Sequence, residues 1–359
     1  MIKKFDGKKL LVLGSNVGSD DIINYAKENG AFIIVADYLS TEESFAKKIA
    51  DETLLISTAD VDKLVSYVKK YNVDGVFAGI SEFNILKAME VSEKSGLPFY
   101  CNRKQWDDIG QKSLFRKNCK KYNVPVPETY FIGENLDNDI IASLNYPVII
   151  KPVDSSASRG VHICYDEVEL KKYEKDAISY SDSGVIIEEY VVGDEFTAHY
   201  TIVNGKAQLS CIDNRYPVAL HEGSVTTIPV ARVFPSLFID EYIQQVDKYM
   251  INLCEGMNLK NAVIFIQGIY NKKDGRFAIF EAGLRNAAEA TYRFISKING
   301  INSMNFLVDY ILGGGYRLCE RRTIFKWFEL WGYFVYYERW KSWQYNRFRR
   351  CCRCFKQRS

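Results

Sequence analysis

Residues 146–160, YPVIIKPVDSSASRG, decide how the rest of the chain reads. An apolar strand-like run ends on Lys151, and a loop of small, flexible residues follows, with Ser155, Ser156, Ser158 and Gly160. Such a loop can fold over phosphates and offer backbone N–H groups, while the lysine neutralises charge. The same string also reads as a strand ending in a surface lysine and an ordinary serine-rich turn, and alone it does not choose between the two.

Two downstream stretches bear on the choice. In GVIIEEYVVGDEF (184–196) a strand runs into Glu188 and Glu189, then a hinge at Tyr190 and Val191 precedes Gly193. An adenine ring needs one backbone donor, one backbone acceptor and apolar walls, and a nearby carboxylate such as Glu195 can hold ribose hydroxyls. The plainer alternative is an edge strand with solvated glutamates. Further on, FIQGIY and RFAIFEAGLRN flank a turn at Asp274-Gly275. That hairpin puts Gln267 and Glu281 on neighbouring strands, with Arg285 shortly after. Oxygen ligands on adjacent strands suit Mg²⁺, which keeps most of its bonds to water and phosphate. An arginine beside it can stabilise a transferring phosphoryl group. The alternative is a structural salt bridge between Glu281 and Arg285.

Upstream, the chain alternates β and α. KLLVLG, AFIIVADY, ETLLI, GVFAGI and LPFYC read as strands, separated by helices around residues 20–29, 61–71 and 82–95. Runs apolar on both faces, alternating with helices, indicate a parallel sheet covered on both sides. This first, Rossmann-like domain spans 1–103. A helix over 106–122 follows, closed by Asn123, and then come strands with hairpin signals at Asn204-Gly205 and Asp274-Gly275. The middle of the chain, 104–316, is therefore antiparallel α+β. Gly14, Gly18 and Asp37 superficially suggest a dinucleotide site and hence an NAD-dependent dehydrogenase. Gly-x-x-x-Gly is not Gly-x-Gly-x-x-Gly, however, and the metal hairpin argues against that class.

Taken together, residues 5–316 resemble the ATP-grasp superfamily, in particular the large subunit of carbamoyl-phosphate synthase and carboxylate–amine ligases. The order of motifs is the family's: a Rossmann-like domain, a helix with an early lysine, the lysine strand with its Ser/Gly loop, the Glu-Glu hinge and the metal hairpin. The helix lysine is Lys112 in DIGQKSLFRKNCKKYNVPVPET. The resemblance implies a two-lobed domain with ATP in the cleft between its lobes. Lys112 would reach the α-phosphate, Lys151 the α- and β-phosphates, and Ser155, Ser156, Ser158 and Gly160 would close over them. Glu188, Glu189, Tyr190 and Val191 would hold adenine, with Glu195 near the ribose. Gln267 and Glu281 would hold Mg²⁺ (or Mn²⁺), with Arg285 catalytic. The implied reaction is ATP-dependent activation of a carboxylate as an acyl phosphate for attack by an amine. The alternative is an ATP-binding protein with impaired or no ligase activity.

One departure stands out. The family's Glu-x-Asn-x-Arg is here Glu281-Ala282-Gly283-Leu284-Arg285, so Gly283 offers no ligand, and an asparagine there is expected to restore one. The first domain of such proteins binds no nucleotide, and its strand ends face the acceptor, which makes Ser15, Asn16, Ser81 and Glu82 candidates for substrate contact. Arg215, His221, Glu222 and Arg232, in a long connection, are candidates to hold a carboxylate. His162 and His199 read as structural.

The net charge of +2 hides an asymmetry. Residues 317–359 carry twelve Lys/Arg and three acidic residues, leaving the first 316 at −7. No apolar run approaches the roughly 20 residues of a membrane span, and the N-terminus lacks a signal-peptide shape. Nine cysteines without a shared spacing suggest reduced thiols in a cytoplasmic protein. The expected partners are small-molecule carboxylates and amines, not nucleic acid or membrane; the oligomeric state is not read from the sequence. The basic tail holds four of the five tryptophans and has the composition of a membrane anchor or nucleic-acid arm. A shifted reading frame near residue 318 accounts for it better. Tryptophan has the single codon TGG, so reading one base later turns Trp327, Trp331, Trp340 and Trp343 into glycines. Permissible codons elsewhere then give a charge-balanced, strand-like string.

Overall fold

The computed structural model describes residues 3–153, 159–219 and 227–313, together with the backbone of 332–335. The first unit comprises β1 (Lys9–Leu13), α1 (Ser19–Glu28), β2 (Phe32–Asp37), α2 (Phe45–Lys48), β3 (Glu52–Leu55), α3 (Val61–Tyr71), β4 (Gly75–Ala78) and α4 (Glu82–Ser95). Its four strands are parallel in the order β3-β2-β1-β4. Caps mark the helix ends: Asp60 and Ser81 accept from the first turns of α3 and α4, and Asn72 and Gly96 end them in left-handed geometry.

The expected fifth strand, LPFYC, is irregular. Tyr100 and Cys101 are buried, and the Tyr100 hydroxyl donates to the Leu284 carbonyl at 3.1 Å. The run is apolar because it packs under the hairpin that ends at Gly283, not because it pairs in the sheet. The dinucleotide reading also loses its acid: Asp37 is buried and accepts from the N–H groups of Ser15 and Leu39.

The single helix expected over 106–122 is two, α5 (Arg103–Gly110) and α6 (Lys112–Lys121), broken at Gln111. The break makes Lys112 the first residue of α6. A small lobe follows, with β5 (Thr129–Gly133), α7 (Asn138–Ser143), β6 (Val148–Pro152), β7 (His162–Cys164), α8 (Glu167–Ile178) and β8 (Val185–Glu189). Its strand order is β5-β8-β6-β7.

The remaining elements are β9 (Asp194–Val203), β10 (Lys206–Ala219), β11 (Thr227–Phe234), α9 (Ile239–Tyr242), a π-helical stretch (Ile243–Asp247), α10 (Lys248–Gly256), β12 (Ala262–Asn271), β13 (Arg276–Gly283), α11 (Tyr292–Asn299), α12 (Ser303–Ile311) and β14 (Gly332–Val335). They build a six-stranded antiparallel sheet, β13-β12-β9-β10-β11-β14. The Asn204-Gly205 turn has positive φ at both residues, as its type requires. At the other hairpin only Gly275 does, because the loop there is longer.

The parallel sheet and the six-stranded sheet share one continuous core, whereas the small lobe has its own. Helix α12 locks the large sheet to the first unit: Asp309, buried, takes Lys4 Nζ at 2.6 Å and the Tyr25 hydroxyl at 2.7 Å. The five described cysteines are free and buried, and among the described residues no helix is long and apolar enough to cross a membrane. Apart from β14, which pairs with β11, the basic tail lies outside the described residues.

Candidate active site

Lys151 closes β6, and its Nζ lies 2.5 Å from Oε2 of Glu188 on β8. The antiparallel register pairs Ile149 with Glu188, so the two charged side chains stand on one face of the small lobe. Glu188 is completely buried and is also gripped by Arg116 of α6, through Nε and through Nη2 at 3.1 Å. The same Nη2 donates to the Phe280 carbonyl at 3.0 Å, which ties α6 to β13.

Arg116 is therefore a site residue that the sequence reading missed. A signal was available, since it lies one helical turn after Lys112 and so on the same face. Burial pushes the Glu188 carboxyl up, but the charges of Lys151 and Arg116 outweigh it and hold the group down at about 2. Burial lowers both lysine amines, offset in part by Glu188 for Lys151 and by Glu281 for Lys112. Three cations thus gather in a poorly solvated region that would favour a polyanion.

The hinge is more occupied than expected. Glu188 is spent on the two cations. Glu189 is held by Arg276, with Nη1 at 3.0 Å from Oε2 and Nη2 on Oε1, and its N–H donates to the Glu128 carbonyl at 2.8 Å. The Tyr190 N–H donates to the Pro147 carbonyl. Val191, buried, is the expected hinge position whose N–H is not taken among the described residues. The Glu195 carboxylate is bound by Arg215. Gly160 has φ +69°, and a Cβ there would meet Tyr180 at 2.8 Å and Pro152 at 2.9 Å, so this end of the loop accepts glycine alone. Ser155, Ser156 and Ser158, with His221 and Glu222, lie outside the described residues.

On the large sheet, Gln267 and Glu281 are direct cross-strand partners, and Thr197 and Asp213 continue the row across β9 and β10. Glu281 is exposed and makes no hydrogen bond or ion pair among the described residues. The salt bridge between Glu281 and Arg285 is not formed. Arg285 instead reaches the first unit, with Nη2 2.8 Å and Nε 3.2 Å from Glu82 Oε1, and its guanidinium lies 4.8 Å over the Phe265 ring. No group of three or more His, Cys, Asp or Glu residues among the described ones could hold a metal alone. The Gln267–Glu281 pair fits Mg²⁺ that takes most of its ligands from phosphate and water.

The expectation for Gly283 is corrected here. A Cβ at that position would lie 2.3 Å from Phe265 Cε1 and 2.7 Å from Cζ. The buried ring occupies the space a ligating side chain would need.

Other sequence candidates are structural. Arg232 is buried, with Nη1 2.7 Å from Asp213 and 2.9 Å from Thr197 Oγ1, and Nη2 3.0 Å from Glu289. His199 completes this network through Asp213 at 2.9 Å. Arg215 and Arg232 are thus both already paired with acids, each with its Nε left without a partner among the described residues. Ser15 accepts from Ala46 N–H, and Asn16 from Ile80 N–H, so both brace the loops at the sheet's edge.

Comparison with known proteins agrees with this geometry. Residues 144–292 match the family model of the ATP-grasp domain. The chain is 22% identical over 328 residues to the carbamoyl phosphate synthase large chain of Clostridium acetobutylicum, covering 86% of this chain and 29% of that protein. It is 29% identical over 194 residues to formate-dependent phosphoribosylglycinamide formyltransferase of Sulfurisphaera tokodaii, covering 52% of this chain and 48% of that one. The chain therefore spans less than half the length of these curated relatives. Among solved structures, the biotin carboxylase domain of Hydrogenobacter thermophilus 2-oxoglutarate carboxylase, in complex with MgADP, ADP and bicarbonate, shares the fold. Its TM-score is 0.73 at 18% identity, over 87% of this chain and 70% of that one.

Proposed function

We propose that this chain, which carries an ATP-grasp domain over residues 144–292, binds ATP with Mg²⁺ (or Mn²⁺) between the small lobe and the six-stranded sheet and activates a carboxylate for attack by an amine. The pairing of Lys151 and Arg116 with Glu188, and the placing of Lys112 within the field of both Glu281 and Glu188, carry the reading. Three positive charges meet two carboxylates there, and a triphosphate would supply the remaining negative charge. When bound, Mg²⁺ at Gln267 and Glu281 would neutralise phosphate oxygens as charge transfers.

The residues of the chain do the rest by positioning. Lys112 and Lys151 hold phosphates, with Glu188 and Arg116 fixing the lysine that closes β6. Val191 and the walls of the hinge take adenine. Arg285 stands four residues beyond Glu281, beside the group in transfer. A substrate carboxylate oxygen attacks the γ-phosphorus, the bond to the bridging oxygen breaks, and ADP leaves. The amine then attacks the carbonyl carbon, expels phosphate and loses its proton.

Purified protein with MgATP should release ADP against some member of a panel of amino acids, sugar acids and amines, and calorimetry should detect ATP but not NAD. Glu281→Gln should abolish turnover and leave the fold intact. NAD binding without ATP binding, or normal turnover by the glutamine variant, would overturn the reading. An ATP-binding protein without ligase turnover is the second reading, favoured by the Phe265 ring at Gly283. ATP binding with no ADP release across the panel would select it.

A further inference from the structure

We infer that the amine is an unphosphorylated cation with an apolar body, and that Glu82 selects its charged head; this rests on the ligase reading above. In a parallel α/β sheet a ligand sits beyond the carboxyl ends of the strands. Here that edge is formed by loops 14–18, 38–44, 56–60 and 79–81, together with the start of α4. Arg285 reaches across from β13's end to Glu82, which places this edge opposite the phosphoryl side.

The four loops contain no lysine or arginine. Of the lysines beside them, Lys47 is buried and donates its Nζ to the carbonyls of Asp37 and Leu39, and Lys87, 5.9 Å over the Phe83 ring, is paired with Glu90 at 3.0 Å. Helix N-termini are ordinary phosphate sites, but the first turns of α1 and α4 carry Asp20, Asp21 and Glu82. Asp20 and Asp21 are engaged by Arg293, at 3.1 and 2.7 Å. Glu82 differs from them. Both contacts from Arg285 fall on Oε1, the side chain is 49% exposed, and Oε2 has no partner among the described residues. A carboxylate oxygen is thus left beside the arginine that attends the reaction, where it can receive an ammonium but would repel a phosphate.

The apolar element comes from the same loops. Val17, Tyr38 and Phe83 are 40%, 71% and 52% exposed. They follow β1, β2 and β4, which are adjacent in the sheet. The loops after β1 and β4 touch, since the Asn16 side chain accepts from Ile80 N–H.

Calorimetry on the full chain with MgADP tests this with four amines, tyramine, tyramine O-phosphate, ethanolamine and O-phosphoethanolamine, and with p-cresol. Tyramine should bind at least about tenfold more tightly than its phosphate, the scale of one charge-assisted contact, and more tightly than ethanolamine. Glu82→Gln should weaken tyramine and its phosphate each about tenfold, because both carry the ammonium, and leave p-cresol, which lacks it, within about twofold. A purely structural role for Glu82 would lower p-cresol as well. Preference for either phosphorylated probe, equal binding of the pair, or no binding by any of the four amines overturns the inference. The ligase reading fails separately, through absence of ADP release with its carboxylate panel.

Discussion

Replacing Glu188 by glutamine removes the carboxylate between Lys151 and Arg116 and leaves both buried cations without their partner. Breaking a buried pair by removing one member costs about 3–5 kcal/mol, because the remaining charge stays desolvated. Titration gives a second route to the magnitude. The carboxyl is held at about 2 against an ordinary 4.5, a drop equivalent to about 3 kcal/mol at about 1.36 kcal/mol per unit. Both point to destabilisation. Because the folded-state value is depressed, the contribution is complete above about pH 4.5 and is lost as pH falls through about 2; at about pH 3 less than half of it remains. Urea unfolding at neutral pH should therefore find Glu188→Gln less stable by about 3 kcal/mol, with the gap narrowing as both proteins are taken toward pH 3. MgATP should recover part of the loss, since its phosphates bring negative charge to the same cations. A variant within about 1 kcal/mol of wild type at neutral pH would put it on the scale of a surface pair and refute the buried-pair account.

Two further outcomes follow from the structure and the tail. Gly283→Asn should not raise turnover and should destabilise by about 1–3 kcal/mol, the cost of overpacking against the Phe265 ring, with Phe265→Ala in the same chain relieving it; thermal unfolding and ADP release read both effects. For residues 317–359 we propose the shifted frame. The nucleotide sequence one base on from near residue 318 should stay open and encode a globular string with glycine at the four tryptophan codons, and a stop codon there would return the tail to the membrane-anchor reading.

The elements that the sequence announces well are those whose ends are chemically marked. Helices α3 and α4 match their expected bounds because Asp60 and Ser81 cap the starts and Asn72 and Gly96 the ends. The LPFYC run fails because hydrophobicity reports burial without saying against what. Tyr100 is buried by the chain around Leu284, 184 residues on, and nothing local in the run distinguishes that contact from pairing with a neighbouring strand. Gly110, by contrast, was a legible signal for the break between α5 and α6.

The site divides along a similar line. That Gln267 and Glu281 stand side by side follows from one hairpin, which local spacing can carry. Which charges neutralise one another does not. Arg116 meets Glu188 across 72 residues, and Arg285 meets Glu82 across 203. Glu188 and Glu189 look alike as neighbours in sequence, yet strand alternation turns one inward to Lys151 and Arg116 and the other to Arg276. A carboxylate already committed to a buried cation is part of the scaffold, and one left with an open oxygen can meet a ligand. By that criterion the groups that matter for chemistry and selection are Glu281, with no partner among the described residues, and the second oxygen of Glu82. Both were candidates in the sequence, and the partners of the other acids are what separate them from Glu188, Glu189 and Glu195, which are already committed.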